Sequence, residues 1–398
     1  MSISTSILGL RGTGQFSADF RPTNYRELFT LLEPNGTAPL NALLSMASSE
    51  STDDPKYNNF RDELPDRVLT VAAGGALIGA TSIPLADNDE VNFAVTNVLL
   101  LNTRTNEIVR ATASPTTTPG SMAVTVVRGA SGSTAAAMNA ADKLVVIGFA
   151  DVEGGGKPTP VTFDPVVDFN YTQIFKTGTG ITNTQRATFL RTGDKESEML
   201  MKGLKLHMGD IERAMFWSRR HEENGSSNAP RRSTGGLFST ISNVIDASTG
   251  FAAANTINET EFDQQLITNI FAYGSKQKTM FAGARVIANL QKIAKGRWQP
   301  YAVNGSYGVT MTQYSTFAGD LNVHLHPMFR QIPGMDNAAV ILDLPHVKYR
   351  YMEGRDTQLK RDVQANDADG KEHFYLTECG LELLTARPHW VIRNWTNA

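Results

Sequence analysis

The chain has 398 residues, 41% of them hydrophobic and 19% charged, with a formal net charge of -3 and a pI near 6.2. At about 150 residues per domain, that length holds two or three cores. The near-neutral balance excludes a dedicated nucleic-acid binder, which would carry a basic excess against phosphate. Cys379 is the only cysteine, which excludes an intrachain disulfide and a thiolate metal cluster.

The charged fraction falls below the roughly 25% usual for soluble domains, so much of the surface is expected to face other subunits. Met1 to Leu10 lack the basic residues and apolar core of a signal peptide. No stretch of about 18 uninterrupted apolar residues occurs. A soluble protein made in a cytoplasm, without membrane contact, is expected.

In chain order, residues 1 to about 65 read as an open arm, with Gly12, Gly14, Pro22, Pro34, Gly36, Pro39 and Pro55 punctuating apolar clusters such as Leu28, Phe29, Leu31 and Leu32. Those clusters need a neighbour to bury them. Short Val, Ile, Leu and Thr runs follow at Val68 to Val71, Val98 to Leu101, Ile108 to Thr112, Val124 to Val127 and Leu144 to Ile147. Turn residues separate them, which predicts a small all-β module. Glu153 to Pro158, with three consecutive glycines, predicts a flexible joint and a domain edge. Between Val161 and Phe175, Val167, Phe169 and Tyr171 alternate with Asp168, Asn170 and Thr172, as a strand with an apolar face would.

The strongest single element runs from Asp194 to Glu223, where Leu200, Leu204, Met208, Ile211 and Met215 recur at spacings of four or three. This predicts a long amphipathic helix used as a spine. Asp194, Glu196 and Glu198 suit its N-terminal dipole, Arg219 and Arg220 its C-terminal end, and Asn224-Gly225 its stop. From Gly235 to Leu344 the pattern is α/β, with helices at Thr260 to Tyr273 and Ala284 to Lys295, strands at Lys278 to Ala282 and Ala338 to Leu344, and two strands meeting at Phe317 to Asp320. His346 to Trp395 reads as strands with a solvated hairpin at Asp367 to Gly370, and these are expected to pack on the long helix.

Motifs that carry chemistry are incomplete. Gly155-Gly156-Lys157-Pro158 lacks the hydroxyl residue of a P-loop, and Gly178-Thr179-Gly180 lacks the rest of a dinucleotide fingerprint and reads as a turn. His324 and His326 share a strand face but have no third ligand nearby, so they are expected as surface or interface histidines. His221-Glu222-Glu223 lacks the second histidine of a zinc protease and sits where a helix C-terminus favours a cation. The turn at Asn366 to Gly370 has Ala365 where a calcium loop begins with Asp. Met199, Met201, Met208 and Met215 read as core filler, and Cys379 as a buried small hydrophobe. No catalytic, cofactor or metal residue is expected.

The order of parts resembles the Hong Kong 97 type capsid fold of tailed phages. Tyr171-Thr172-Gln173-Ile174-Phe175, the helix from Asp194, and Arg231-Arg232-Ser233-Thr234-Gly235-Gly236-Leu237 resemble the family of the phage SU ten major capsid protein. The likeness extends over most of Val161 to Trp395. Leu69-Thr70-Val71 and Val127-Arg128-Gly129 look like parts of an inserted β-domain.

The resemblance implies an α+β fold with an arm over residues 1–52 and an extended loop over 53–191 carrying a β-domain at about 68–150. It further implies a peripheral domain over 192–243 and 346–398 with a spine helix at 194–223, and an axial domain over 244–345. The implied function is a virion shell of hexamers and pentamers, assembled in a bacterial cytoplasm around double-stranded DNA held non-specifically. Scaffold, portal and decoration proteins are the implied partners. A cargo-enclosing encapsulin-like shell is the alternative, and an enzyme with an α/β catalytic domain a more distant one.

Overall fold

The computed structural model describes residue 40 and residues 49–62, 65–188, 195–224, 229–293, 302–303 and 311–398. The expected arm over residues 1–52 thus lies largely outside the described residues. The chain forms two compact units, one running from Phe60 to Val167 and the other made of the sequence on both sides of it. Its architecture is mixed α+β.

The unit from Phe60 to Val167 is the all-β module. Its sheet runs Val68–Thr70, Lys143–Phe149, Val98–Asn102, Ile108–Ala111, Ala123–Val127, Ser82–Pro84, with every neighbouring pair antiparallel. Alternation sets the faces. In Val98–Asn102 every second side chain is buried, and Leu100 meets Leu69, Val109, Val124 and Leu144 in one core. Asn106 takes φ 55° in the turn before Ile108, a conformation that asparagine tolerates better than most residues. Glu153 to Pro158 is an exposed coil, as three glycines dictate, but the unit's edge comes later, at Val167, because Val161 packs back on the core.

The second unit holds two large sheets, a two-stranded ribbon and the long helix. A seven-stranded mixed sheet runs Val244–Asp246, Trp390–Arg393, Ala339–Leu342, Gln277–Ala282, Asp320–Leu325, Met311–Ser315, Ala302–Val303. Its central strands are buried on both faces. Val340, Leu342, Phe281 and Val391 enter one cluster, while Ala339, Ile341, Met280 and Ile392 enter another with Phe262, Leu290 and Trp395. The second sheet is organised by the fourteen-residue strand Gly370–Leu383, which pairs antiparallel with Gln173–Thr182, Val347–Met352 and Gln358–Lys360.

The long helix spans Lys195–Trp217, so it stops six residues short of the Glu223 end expected from sequence. Asp194 and Gly225 lie outside the described residues. His221–Asn224 is instead a strand, paired with Pro230–Ser233 so that Glu222 faces Arg232 and Glu223 faces Arg231. Opposite charges across the ladder support the pairing. The termination has a steric cause. Gly236 crosses the helix end so closely that a Cβ there would sit 2.7 Å from the Ala214 carbonyl oxygen, and its N–H donates to the Ser218 carbonyl at 2.8 Å.

Two strand readings also change. Gly178-Thr179-Gly180 is the middle of the strand Gln173–Thr182 and not a turn. Near Val166–Tyr171 the buried side chains are Asn170 and Thr172, while Val167 is 53% exposed. The polar face goes inside because Asn170 meets backbone there: its Nδ2 donates to the carbonyls of Leu381 at 2.7 Å and Gly235 at 3.1 Å, and its Oδ1 accepts from the Gly235 N–H at 2.7 Å.

Helix and sheet approach closely at Gly203, where a Cβ would lie 2.7 Å from the Thr179 Cγ2. On an open helix Gly→Ala gains about 1 kcal/mol. Here Gly203→Ala is expected to cost about 1–3 kcal/mol through overpacking. Adding Thr179→Ser, which deletes the clashing methyl, should recover most of that loss in a denaturant titration.

Candidate functional site

Helix periodicity brings Gly203, His207, Ile211 and Met215 onto one line at four-residue spacing and Gly209, Glu212 and Phe216 onto a second line, and all of these are buried. Of the five residues expected to form the stripe, Ile211 and Met215 are buried in the core and Met208 packs against it. Leu200 and Leu204 are only half-buried, because the buried seam drifts around the helix toward its start. The Leu200 carbonyl accepts from the Tyr375 hydroxyl at 3.1 Å. Met201 is 59% exposed, so it fills no core.

Two polar residues among these tie the helix to other elements. His207 bridges the two longest strands, with Nδ1 2.9 Å from the Thr177 hydroxyl and Nε2 2.7 Å from the Thr377 hydroxyl. Burial pulls its pKa below the usual histidine value, so the ring is held neutral. Glu212 is fully buried and accepts at Oε1 from His326 Nε2 at 2.8 Å and from the Leu40 N–H at 2.9 Å. Because the Met328 N–H donates to His326 Nδ1 at 3.2 Å, the proton of a neutral ring resides on Nε2.

His324 and His326 are therefore not surface residues: both are buried, against expectation. His324 faces the Phe281 ring edge-on at 5.8 Å, and His326 caps the helix Pro327–Gln331. Phe216 packs edge-on against Phe281, Phe329 and His326 and so locks the helix end to the seven-stranded sheet and the short helix Pro327–Gln331. Sequence reading missed His207, Glu212 and Asn170 because polarity was taken as exposure. For His207 the signal available was the four-residue line from Gly203 to Met215.

A second polar cluster lies at the seven-stranded sheet. The buried Asp343 accepts from the Ser275 N–H at 2.7 Å and the Ser275 hydroxyl at 2.6 Å, and its Oδ2 lies 3.1 Å from His346 Nδ1. Lys278, brought down to about 8 by burial, donates to the carbonyls of Tyr273 at 2.8 Å and Pro388 at 2.7 Å. Burial brings His389 down to about 3, and its Nδ1 accepts from the Asp343 N–H at 3.2 Å. Serine, histidine, aspartate and lysine meet here, but the serine hydroxyl donates to the carboxylate and the lysine is spent on two carbonyls. The arrangement pins three loops and activates no nucleophile.

Cys379 is buried and its thiol is pushed up to about 12 by burial, the state of an inert thiol. Among the described residues, no group of three or more His, Cys, Asp or Glu is placed to hold a metal, and no helix is long and apolar enough to cross a membrane.

Against known proteins, a family described as SU10 major capsid protein matches residues 11–396. The chain belongs to that family. This major capsid protein is also 27% identical over 342 residues to the major capsid protein of Pseudomonas phage PaMx41, covering 82% of this chain and 78% of that one. Among solved structures it is similar to the capsid of a native GTA particle, with a TM-score of 0.49 and 8% identity over 97% of this chain and 98% of that one. Against the Mycobacterium phage Bobi structure the TM-score is 0.46, with 9% identity over 94% and 96% of the two chains. A major capsid protein is a structural subunit of the virion and not an enzyme, and many copies of it build the shell.

Proposed function

We propose that this capsid protein builds the icosahedral head of a tailed phage of the Hong Kong 97 type, as hexamers and pentamers assembled in the bacterial cytoplasm around double-stranded DNA. In this reading residues 1–52 are the arm and 53–191 the extended loop, with the β-domain at about 68–150. Residues 192–243 and 346–398 form the peripheral domain, and 244–345 the axial domain. Leu200, Leu204, Met208, Ile211 and Met215 belong to the helix that carries the peripheral domain. Scaffold, portal and decoration proteins complete the set of partners.

The observation that carries the reading is the long helix Lys195–Trp217 fixed on the C-terminal strand Gly370–Leu383 by His207, Tyr375 and the shared core, within a chain that matches the capsid family almost end to end. A heterologous contact repeated around five- and six-fold axes closes rings, and multiplicity turns weak ring-to-ring contacts into a lattice. A net charge of -3 suits a shell that encloses DNA without gripping it.

The test is expression of the chain alone, followed by sedimentation and negative-stain electron microscopy. Hexamer rings, tubes or empty shells are the expected products. Shells filled with host protein would favour a cargo compartment, and a strictly monomeric species across salt and crowding conditions would overturn the reading.

A further inference from the structure

The six strands of the all-β unit close into a barrel. Val71 bridges Leu85 between the first and last strands of the sheet, the Ala72 N–H donates to the Pro84 carbonyl at 2.9 Å, and the Ala86 N–H donates to the Thr70 carbonyl at 2.8 Å. A closed barrel leaves no sheet edge for a partner strand. Contact with another molecule must use its outer side chains or its loops. The loop before Ser82–Pro84 stands out, because Leu77 is 81% exposed, the most of any aliphatic side chain among the described residues, and Ile78 is 58% exposed.

This exposure is built in. Ala76 and Met138 exchange two backbone hydrogen bonds at 2.9 and 2.8 Å, and the Ala80 N–H donates to the Leu77 carbonyl at 3.0 Å. Arg128 Nη1 donates to the same carbonyl at 2.7 Å while its other nitrogens hold the buried Glu107 carboxylate. Gly75 takes φ 62° so close to the neighbouring segment that a Cβ there would lie 2.2 Å from the Met138 carbonyl oxygen. The backbone and a buried ion pair thus keep two aliphatic side chains in water, where they add nothing to the fold and are preorganised for a partner.

Two observations decide what that partner is. The two side chains offer on the order of 200–300 Å2, against about 800 Å2 per partner in a stable complex. The loop holds nothing by itself, so its occupant is a molecule kept in place by other contacts, as one subunit of a shell is kept by its neighbours. In addition, Val71 to Ala86 carry no charged residue over sixteen positions. Two copies of this loop can meet with no like charges opposed.

We propose that Leu77 and Ile78 form a two-fold contact with Leu77 and Ile78 of a second copy of this chain in the assembled shell. The contact rests on the reading that copies of this chain close a shell. It also gives the buried Glu107–Arg128 pair a role beyond the barrel, which is to hold the loop in the conformation that meets its counterpart.

Single-cysteine crosslinking of the assembled full-length protein tests this. The parent's own Cys379 is buried and its thiol pushed up to about 12, so it should give no product. With a short bismaleimide, Leu77→Cys should form a covalent dimer at least tenfold faster than Thr117→Cys, an exposed position in the loop at the opposite end of the strand Ala123–Val127. Leu77→Ser with Ile78→Ser should raise the protein concentration needed for assembly at least tenfold. The melting of its unassembled subunit should match the parent, because both side chains lie off the core. A Leu77→Cys dimer no faster than the control, or a double serine variant that assembles at the parent's concentration, overturns the proposal while leaving the shell reading intact. A parent that never assembles overturns both.

Discussion

Ile211→Asp is expected to leave no soluble folded protein at growth temperature. The side chain is fully buried in the cluster that joins the long helix to both sheets, among Phe216, Leu237, Phe281 and Leu381. A carboxylate introduced there has no cation to meet. The neighbouring Glu212 is itself a buried carboxylate, already occupied with His326 and the Leu40 N–H. Burying a charge without a partner costs several kcal/mol, against a total stability of about 5–15 kcal/mol. The conservative control Ile211→Val should cost only about 0.5–1.5 kcal/mol. Soluble yield, melting and limited proteolysis check the result, with the Phe60–Val167 unit surviving as a protected fragment because its core is separate. Wild-type yield and melting for Ile211→Asp would remove this helix from the role assigned to it.

The second large effect is expected inside the β-domain, at Glu107 and Arg128. The Glu107 carboxylate is fully buried and receives both nitrogens of the Arg128 fork at 2.7 Å, with the N–H groups of Gly129 and Ala136 at 3.1 Å. Arg128 also donates to the Leu77 carbonyl at 2.7 Å, so the pair holds the loops around residues 77–80 and 129–136 onto the sheet. Arg128→Ala strands a buried carboxylate and should destabilise the domain by about 3–5 kcal/mol. The double variant Glu107→Gln with Arg128→Met should lie much closer to the parent, because no charge is left buried.

The pH dependence has a fixed sign. Burial by itself would raise the Glu107 pKa, but Arg128 and the two backbone N–H groups outweigh it, and the folded value lies below the ordinary 4.5. The stabilisation is therefore fully present above about 4.5 and is lost as pH falls through the folded value. Hydrogen exchange of the domain's amides between pH 7 and 3 should show that acid limb in the parent and a shallower one in the double variant. An equal limb in both would assign the acid sensitivity to other carboxylates.

The elements most legible in the sequence were short runs of strand- or helix-forming residues cut off by clear turn residues. Val98 to Leu101, Ile108 to Thr112 and Leu144 to Ile147 fall on strands of the all-β unit to within a residue or two, because short runs of strand-forming residues are bounded there by turn residues. Lys278 to Ala282 and Ala284 to Lys295 were placed equally well, apart from Ala294 and Lys295, which lie outside the described residues.

Errors arose where tertiary contacts reverse a local rule. Asn170, His207, Glu212, His324 and His326 are polar and buried, each answering a partner far away in sequence or a ring packed on its face. The continuation of the helix to Glu223 was locally reasonable, but Gly236, returning from beyond the hairpin, closes the helix end and frees His221–Asn224 to pair as a strand. The Asp343 knot was illegible because its members come from residues 275 to 389.

The strand Gly370–Leu383 carries a consequence for synthesis. It is the common partner of three other strands, and its longest pairing joins Gln173 to Cys379 and Thr182 to Gly370. At about 5–20 residues per second on a ribosome, the roughly 190 residues between the two strands take roughly 10–40 s to make. During that interval the β-domain, closed within residues 60 to 167, can fold, while Gln173–Thr182 and the long helix wait for a partner. The sheet that the long helix packs on therefore closes only after Gly370–Leu383 has been made.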